Sequence, residues 1–191
     1  MAQEKAKYSK INDLSTSDLE GMMREGIRVT NNAVKSSDSR DWMDVITPHL
    51  TLYSAFFLST TPSSPVSTST LVPRPEVPVT TFLFTVQQEH TNRSSNLHGG
   101  CTATLFDYCT SVALYPIART GRWQFLGVSR TLNCTYLRPV PCGTEILIEC
   151  EVISVGKQLA LIRGIMRHKL DGRILAVCEH NKVNNDPPSK L

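Results

Sequence analysis

The feature that most constrains the fold is one helix-compatible segment that stands among segments typical of strands. In GGCTATLFDYCTSVALYPIAR (99–119), apolar or small side chains recur at positions 103, 106, 109/110, 113 and 117. This three-to-four-residue spacing predicts a helix, and Pro116 is expected to end or kink it. Many of its side chains are small, which suggests that a sheet closes tightly around it: Cys101, Ala103, Thr104, Ser111 and Ala113.

Several segments around this helix favour strands. Residues 46–61 and 79–92 are rich in residue types typical of strands, and the Pro/Ser/Thr-rich stretch 62–78 between them predicts a loop. TEILIECEVIS (144–154) alternates apolar and polar side chains, and Asp171-Gly172 between two apolar runs is typical of a hairpin. With a further strand in 126–140, the order strand–strand–helix–four strands predicts an α+β fold, in which one long helix packs against a curved antiparallel sheet.

The chain of 191 residues suits one domain with short extensions. Residues 1–44 are predicted to form an N-terminal helical extension. Within it, residues 15–30 have the pattern of an amphipathic helix, and Ser17 and Glu20 have the spacing of a capping box. Residues 45–186 are the predicted main domain, and 187–191 are a tail.

The tail carries Ser189-Lys190-Leu191, a sequence that the peroxisomal import receptor reads at the end of a chain. We therefore expect the protein in the peroxisome matrix if the source is eukaryotic, and in the cytoplasm otherwise.

Composition and spacing argue against several classes of protein. A net charge of +3 is too small to indicate nucleic-acid binding, and the sequence has no run of about 18 apolar residues that would predict a membrane span. The five histidines lack the clustered spacing of a metal site. The six cysteines form no C-x-x-C pair and are expected to be reduced and mostly buried.

The start of the predicted helix favours an oxyanion site. The first N–H groups of a helix have no partner within it and lie at the positive end of its dipole. Gly99 and Gly100 carry no side chains, so an external oxygen could approach these N–H groups closely. A phosphate cradle is one alternative, although neither glycine-rich phosphate motif occurs. A tight turn from strand to helix without a ligand is the other.

Helix geometry separates Asp107 from the glycines. Asp107 follows Gly99 by eight residues, which corresponds to roughly 12 Å along a helix axis. A carbonyl whose oxygen contacts the Gly99 N–H is then too far from Asp107 of the same chain for attack at its carbon. If both residues act on one substrate, they come from different chains of a two-fold dimer. A polar residue on a solvated helix face is the alternative for Asp107.

Four motifs resemble those of hotdog-fold acyl-CoA thioesterases, of the phenylacetate-pathway and thioesterase-superfamily-member type: HTNRSSNLHGGCTATLFDYCTSVAL (90–114), GVSRTLNCTYLRPV (127–140), VGKQLA (155–160) and DGRILAVCEHNK (171–182). The resemblance covers roughly residues 45–185. It implies the hotdog fold, a long central helix wrapped by a curved antiparallel sheet, and hydrolysis of acyl-CoA to a free acid and coenzyme A without a cofactor. It also implies a role in lipid metabolism and a homodimer that pairs into a homotetramer.

The resemblance implies roles for five residues. Asp107 would attack the thioester carbon or activate a water molecule, and the Gly99 N–H would polarise the thioester carbonyl. Asn92 would hydrogen-bond near the same carbonyl or hold its loop. His98 would bond the loop backbone, contact the leaving thiolate or serve only as a structural residue at the helix entry. Ser129 would position the water beside Asp107 of the same chain, while Asn92, His98 and Gly99 would come from the other subunit.

Arg130, Arg138 and Lys157 are candidates for contacts with the phosphates of coenzyme A, and Gly100 is a candidate for contact with the substrate. Surface charge without a ligand is the alternative for the three basic residues. A hotdog dehydratase or hydratase and a non-catalytic acyl-CoA-binding hotdog protein are the alternative functions. The spacing of the motif favours hydrolysis over the dehydratase or hydratase, and the presence of Asn92, Gly99, Asp107 and Ser129 together argues against a non-catalytic protein.

Overall fold

The structure is a computed structural model that describes residues 15–35, 42–58 and 77–187. Most of the predicted loop 62–78, part of the predicted N-terminal extension and the tripeptide Ser189-Lys190-Leu191 lie outside the described residues. Within the part of the chain that is described, no helix is long and apolar enough to cross a membrane.

A six-stranded sheet forms the body of the domain. Its strands are β1 (Leu50–Leu58), β2 (Val77–Thr85), β3 (Val128–Tyr136), β4 (Glu145–Val155), β5 (Leu159–His168) and β6 (Ile174–Val183). They lie in the order β1-β2-β4-β5-β6-β3, and every neighbouring pair is antiparallel. β1 and β3 are therefore the edge strands. The predicted α+β class and the order of strands around one central helix are confirmed.

The N-terminal helix α1 (Thr16–Lys35) forms as predicted, but its cap differs. The expected capping box of Ser17 and Glu20 does not form, because the helix begins before Ser17. The Asp18 N–H donates to Ser15 Oγ instead (3.2 Å), and Glu20 Oε1 accepts from the Ala55 N–H of β1 (3.2 Å). This bond ties α1 to the edge of the sheet.

The central helix α2 (Gly99–Val112) ends before Pro116, as expected. A proline ring clashes with the carbonyl four residues earlier, which here is that of Val112. Pro116 lies instead in the 3-10 turn Tyr115–Ile117, where its missing N–H leaves no bond unmade.

Two predicted strands are shorter in the structure. The segment 46–61 becomes a strand only at Leu50, because Thr47–His49, with a proline in the first turn, form a 3-10 turn. β2 ends at Thr85, and Gln88–His90 form a second 3-10 turn in which the Gln87 N–H donates to His90 Nδ1 (2.9 Å). This local side-chain bond competes with the ladder and ends the strand.

The sheet approaches α2 as closely as the small residues of the helix suggest. Phe106 and Cys109 are fully buried. A Cβ built on Gly164 of β5 would lie 2.7 Å from the Phe106 ring and 2.7 Å from Cys178 Sγ. Register shifts in every strand pair except β2–β4 allow the sheet to bend around the helix.

Gly164→Ala is expected to destabilise the protein by about 1–3 kcal/mol, because its methyl group overpacks the core. Gly21→Ala is the matched control. Gly21 is exposed in α1 with no atom within 4 Å of an added Cβ, so this change should stabilise by about 0.5–1 kcal/mol. Chemical denaturation measures both free energies of unfolding. Wild-type stability of Gly164→Ala would contradict the close approach of β5 to α2.

Candidate active site

The start of α2 offers one backbone N–H to a ligand. His98 precedes the helix in extended conformation, and its Nδ1 accepts from the Gly100 N–H (2.9 Å). Among the described residues, the Gly99 N–H has no acceptor. This corrects the expectation that both glycines present free N–H groups, because the His98 side chain occupies that of Gly100. Within the described part of the chain, the Gly99 N–H remains free at the positive end of the helix dipole, where the sequence predicts an oxyanion site.

A cleft of about 470 Å³ lies beside this N–H, and its lining includes Asn92, Gly99, Tyr136 and Arg138. The Asn92 Oδ1 accepts from the backbone N–H groups of Ser94 (2.9 Å) and Asn96 (3.3 Å), so the amide oxygen holds the loop. The Tyr136 hydroxyl donates to the Gly99 carbonyl (3.0 Å). The structure therefore brings together three of the residues singled out from the sequence: Asn92, Gly99 and Arg138.

Asp107 lies in a second cluster, with Ser129 and a histidine that the sequence analysis missed. The Ser129 hydroxyl donates to Asp107 Oδ1 (2.8 Å). His180 Nε2 lies 2.9 Å from Ser129 Oγ and 3.4 Å from Asp107 Oδ1. On the other side of the ring, His180 Nδ1 lies 2.6 Å from the Thr110 hydroxyl. The Asp107 side chain is 50% exposed, so its carboxylate is held on one side and open on the other.

His180 is uncharged near neutral pH. Burial and, to a smaller extent, the positive charge of Lys182 lower the pKa of the imidazole to about 4, against the opposing effect of the negative charge of Asp107. A neutral imidazole carries one N–H, and the bond to Ser129 assigns it to Nε2, since the Ser129 proton goes to Asp107.

A buried lysine lies behind the same cluster. Lys182 is 3% exposed, and its Nζ donates to Ser111 Oγ (2.7 Å). The Ser111 hydroxyl in turn donates to the Asp107 backbone carbonyl (2.6 Å). Burial lowers the pKa of Lys182, and Asp107 opposes that change.

A signal for His180 and Lys182 was present in the predicted strand 173–183. Side chains two apart point to the same face of a strand, and Ala176, Cys178, His180 and Lys182 are all buried. Two ionisable side chains that continue an apolar face are unusual, because such groups are rarely buried without a partner. This break in the alternation could have identified them.

The two clusters lie at opposite ends of β3. Ser129, near the start of the strand, contacts Asp107, and Tyr136, at its end, contacts Gly99. The lining of the Gly99 cleft contains neither Asp107 nor Ser129. The lining also contains neither Arg130 nor Lys157, so Arg138 is the one of the three predicted basic residues that lines the same cleft as Gly99.

His49, Glu89 and His90 form a third group close enough together for a metal ion. The His90 ring is already used on both sides, because its Nδ1 accepts from the Gln87 N–H (2.9 Å) and its Nε2 lies 2.7 Å from the Val45 carbonyl. Coordination would break one of these bonds, and the group is better explained as the support of the turn before the Asn92 loop.

The stability of the protein is expected to fall between pH 6.5 and pH 4 because of His180. The folded protein holds the pKa of this imidazole at about 4 against an ordinary 6.5, so the unfolded chain binds the proton first as the pH falls. The contribution of His180 to the free energy of unfolding is fully present above pH 6.5 and is lost as the pH falls through 4. The loss amounts to roughly 3 kcal/mol. His180→Gln should show a smaller loss over this range in denaturation experiments. Equal losses in both proteins would contradict the buried neutral imidazole.

Known proteins share these sequence motifs. Residues 94–175 match the family model of the thioesterase superfamily. Acyl-coenzyme A thioesterase 13 from Mus musculus is 37% identical over 97 residues, which cover 51% of this chain and 66% of that protein. The Homo sapiens protein of the same name is 38% identical with the same coverage. The chain thus spans just under two thirds of the length of these relatives.

Solved structures share the fold. Thioesterase superfamily member 2 from Mus musculus superposes with a TM-score of 0.60 and 26% identity, over 89% of this chain and 98% of that chain. The zebrafish protein of the same description gives a TM-score of 0.58 and 25% identity, with the same coverage. Together with the family match, these structures confirm the predicted hotdog fold, and residues 94–175 are similar to the thioesterase superfamily.

Proposed function

We propose that the protein is an acyl-CoA thioesterase, which adds water to the thioester carbonyl of acyl-CoA and releases a carboxylic acid and coenzyme A. The observation that carries this proposal is the Asp107 carboxylate, held by Ser129 and open to solvent on its other side. The acyl-coenzyme A thioesterase 13 relatives support the proposal over the half of the chain that they match.

The Asp107 cluster suits either of two roles. As a general base, the carboxylate removes a proton from a water molecule that then attacks the thioester carbon. As a nucleophile, it attacks the carbon itself, and water hydrolyses the resulting anhydride. In both roles the Ser129 hydroxyl donates to Oδ1 and leaves Oδ2 for the reaction. The C–S bond breaks, and the sulfur leaves as the thiolate of coenzyme A.

The Gly99 cleft suits the carbonyl and the carrier. The Gly99 N–H, at the start of α2, would donate to the oxygen on which negative charge develops. Asn92 and Arg138 line the same cleft. The Arg138 Nη1 donates to the Ile174 carbonyl (2.5 Å), and the other N–H groups of the guanidinium would pair with a phosphate of coenzyme A. Arg130, Lys157 and Gly100 do not line this cleft.

A complete site needs two chains. β3 is an edge strand with one unpaired side, and Val128 and Tyr136 are exposed on it. An unpaired strand edge can pair with the same edge of a second copy. Antiparallel pairing about a two-fold axis near the middle of β3 would bring Asp107 and Ser129 beside the partner subunit's Gly99 and the partner subunit's Tyr136. We propose that each dimer holds two such sites and that dimers pair into a homotetramer.

Thiol release from a panel of acyl-CoA substrates tests the reaction and the composite site together. Asp107→Asn removes the charge of the carboxylate and should lower turnover by about 10²-fold or more. Gly99→Pro removes the oxyanion N–H and should cost about 10²–10³-fold. Proline is favoured at the first position of a helix, and the His98 backbone, with φ −65° and ψ 136°, suits a residue before proline. Gly99→Ala is the control, since its Cβ would make ordinary contact with Tyr136 at 3.6 Å and the N–H remains.

Mixing the two inactive variants separates one-chain from two-chain sites. In a hybrid dimer of Asp107→Asn and Gly99→Pro, one site carries both defects and the other carries none, so random exchange should restore about a quarter of wild-type activity. No recovery, with subunit exchange verified, would contradict the composite site. Binding of acyl-CoA by the wild type without thiol release would contradict the thioesterase and favour an acyl-CoA-binding protein.

Ser189-Lys190-Leu191 supports a proposed peroxisomal location where it ends the chain in a eukaryotic cell. A fluorescent protein fused to the N-terminus is expected to enter peroxisomes, and extension of the chain beyond Leu191 should leave it in the cytosol. Equal import of both forms would contradict the address.

A further inference from the structure

The buried ammonium of Lys182 has no part in the proposed reaction. Its Nζ can donate three hydrogen bonds, and the structure gives it one, to Ser111 Oγ (2.7 Å). It forms no direct ion pair with a carboxylate in the described part of the chain. A lysine that is 3% exposed and lacks a direct counter-ion is costly to keep, so its position calls for an explanation.

The position of Lys182 relates it to two groups of the Asp107 cluster. Lys182 is the next inward-facing residue after His180 on β6. Through Ser111, its ammonium is also linked to the backbone carbonyl of Asp107. The positive charge therefore lies behind both the imidazole and the carboxylate.

The charge on His180 decides whether Asp107 can act as a base. With a neutral ring, Nε2 donates to Ser129, and Ser129 donates to the carboxylate. Nδ1 then accepts, which requires the Thr110 hydroxyl to turn its proton from the Phe106 carbonyl to the ring. A protonated ring 3.4 Å from Asp107 Oδ1 would form an ion pair with the carboxylate instead. That ion pair would weaken Asp107 as a base or nucleophile.

We propose that Lys182 is a positioning residue, whose buried ammonium, held by Ser111, adds to burial and so extends to lower pH the range over which His180 is uncharged and the Asp107 carboxylate is available for the reaction. This inference rests on the proposed thioesterase function for its catalytic consequence. The effect of Lys182 on the charge of His180 is a property of the folded protein and does not depend on that function.

The groups that face His180 allow a test of sign. Ser129 of β3 contacts the ring, and Ile162 of β5 is the residue paired with His180 in the sheet; neither side chain titrates. The neighbouring Cys178 of β6 stays a neutral thiol, because burial raises its pKa to about 12. The charged groups are therefore Lys182 on the same strand and Asp107 on α2, and they act in opposite directions on the pKa of His180.

NMR titration of the His180 imidazole measures this effect without substrate. Lys182→Met should raise the pKa of His180 from about 4 towards 6.5 but not to it, because burial, the largest cause of the lowered value, remains. Lys182→Arg keeps the charge and should leave the pKa low. Asp107→Asn should move it in the opposite direction, below the wild-type value, and His180→Gln identifies the resonance. An unchanged pKa in Lys182→Met would overturn the proposal.

The pH profile of kcat/KM supplies the catalytic readout. In Lys182→Met the acid limb should move to higher pH, whereas Lys182→Arg should retain the wild-type limb. A uniform loss of activity with an unmoved limb would indicate a structural role and overturn the proposal. If Lys182→Met does not fold, Ser111→Ala removes the group that holds the ammonium and should raise the pKa of His180 by a smaller amount; no rise would overturn it. A protein without thioesterase activity would still give the imidazole titration, so the two proposals fail separately.

Discussion

The contact between Phe106 and Gly164 sets the orientation of α2, and the site depends on that orientation. The glycine lets the Phe106 ring lie against β5 where a methyl group would not fit. Successive helix residues are rotated by about 100°, so burial of Phe106 turns Asp107 to the border of the buried face. There β3 and β6 supply Ser129 and His180. A half-exposed carboxylate with ordered partners on one side is a consequence of this packing.

The elements of the fold could be predicted from the sequence because their signals are local. Alternation in 144–154, Asp171-Gly172 and the spacing in 99–119 each depend on near neighbours in the chain, and each predicts an element that forms. The cap of α1 could not be predicted in this way. Ser15 and Ser17 are both suitable capping residues, and the bond of Glu20 to β1 involves a residue 35 positions away.

Only those parts of the site that depend on near neighbours in the chain could be predicted from the sequence. The Gly99 turn and Asp107 belong to one local motif, and Ser129 was reached through the family resemblance. The pattern of β6 could have identified His180 and Lys182 as inward-facing, but their contacts with α2 and β3 depend on the order of the strands. The use of the Gly100 N–H by His98 depends on a side-chain rotamer, which residue spacing does not report.

The buried polar groups of β6 are better explained by function than by stability. Apolar side chains of similar volume would pack at these positions without the cost of desolvation. His180 and Lys182 instead face the helix with their pKa values lowered by burial. Shifted ionisable groups beside an open carboxylate are typical of an active site.

The rigidity of α2 is the physical reason for proposing that the Gly99 N–H and the Asp107 carboxylate of one chain act on different substrates. A helix fixes the distance between its first N–H and a carboxylate two turns later, and no side-chain rotation shortens it enough for both to reach one carbonyl group. The edge strand β3 has Ser129 near its start and Tyr136 at its end, beside these two groups. A two-fold axis across that edge exchanges the two ends of the strand. In the proposed dimer, pairing of β3 would therefore extend the sheet and join the separated groups in a single step, and dimerisation would then be a condition of activity.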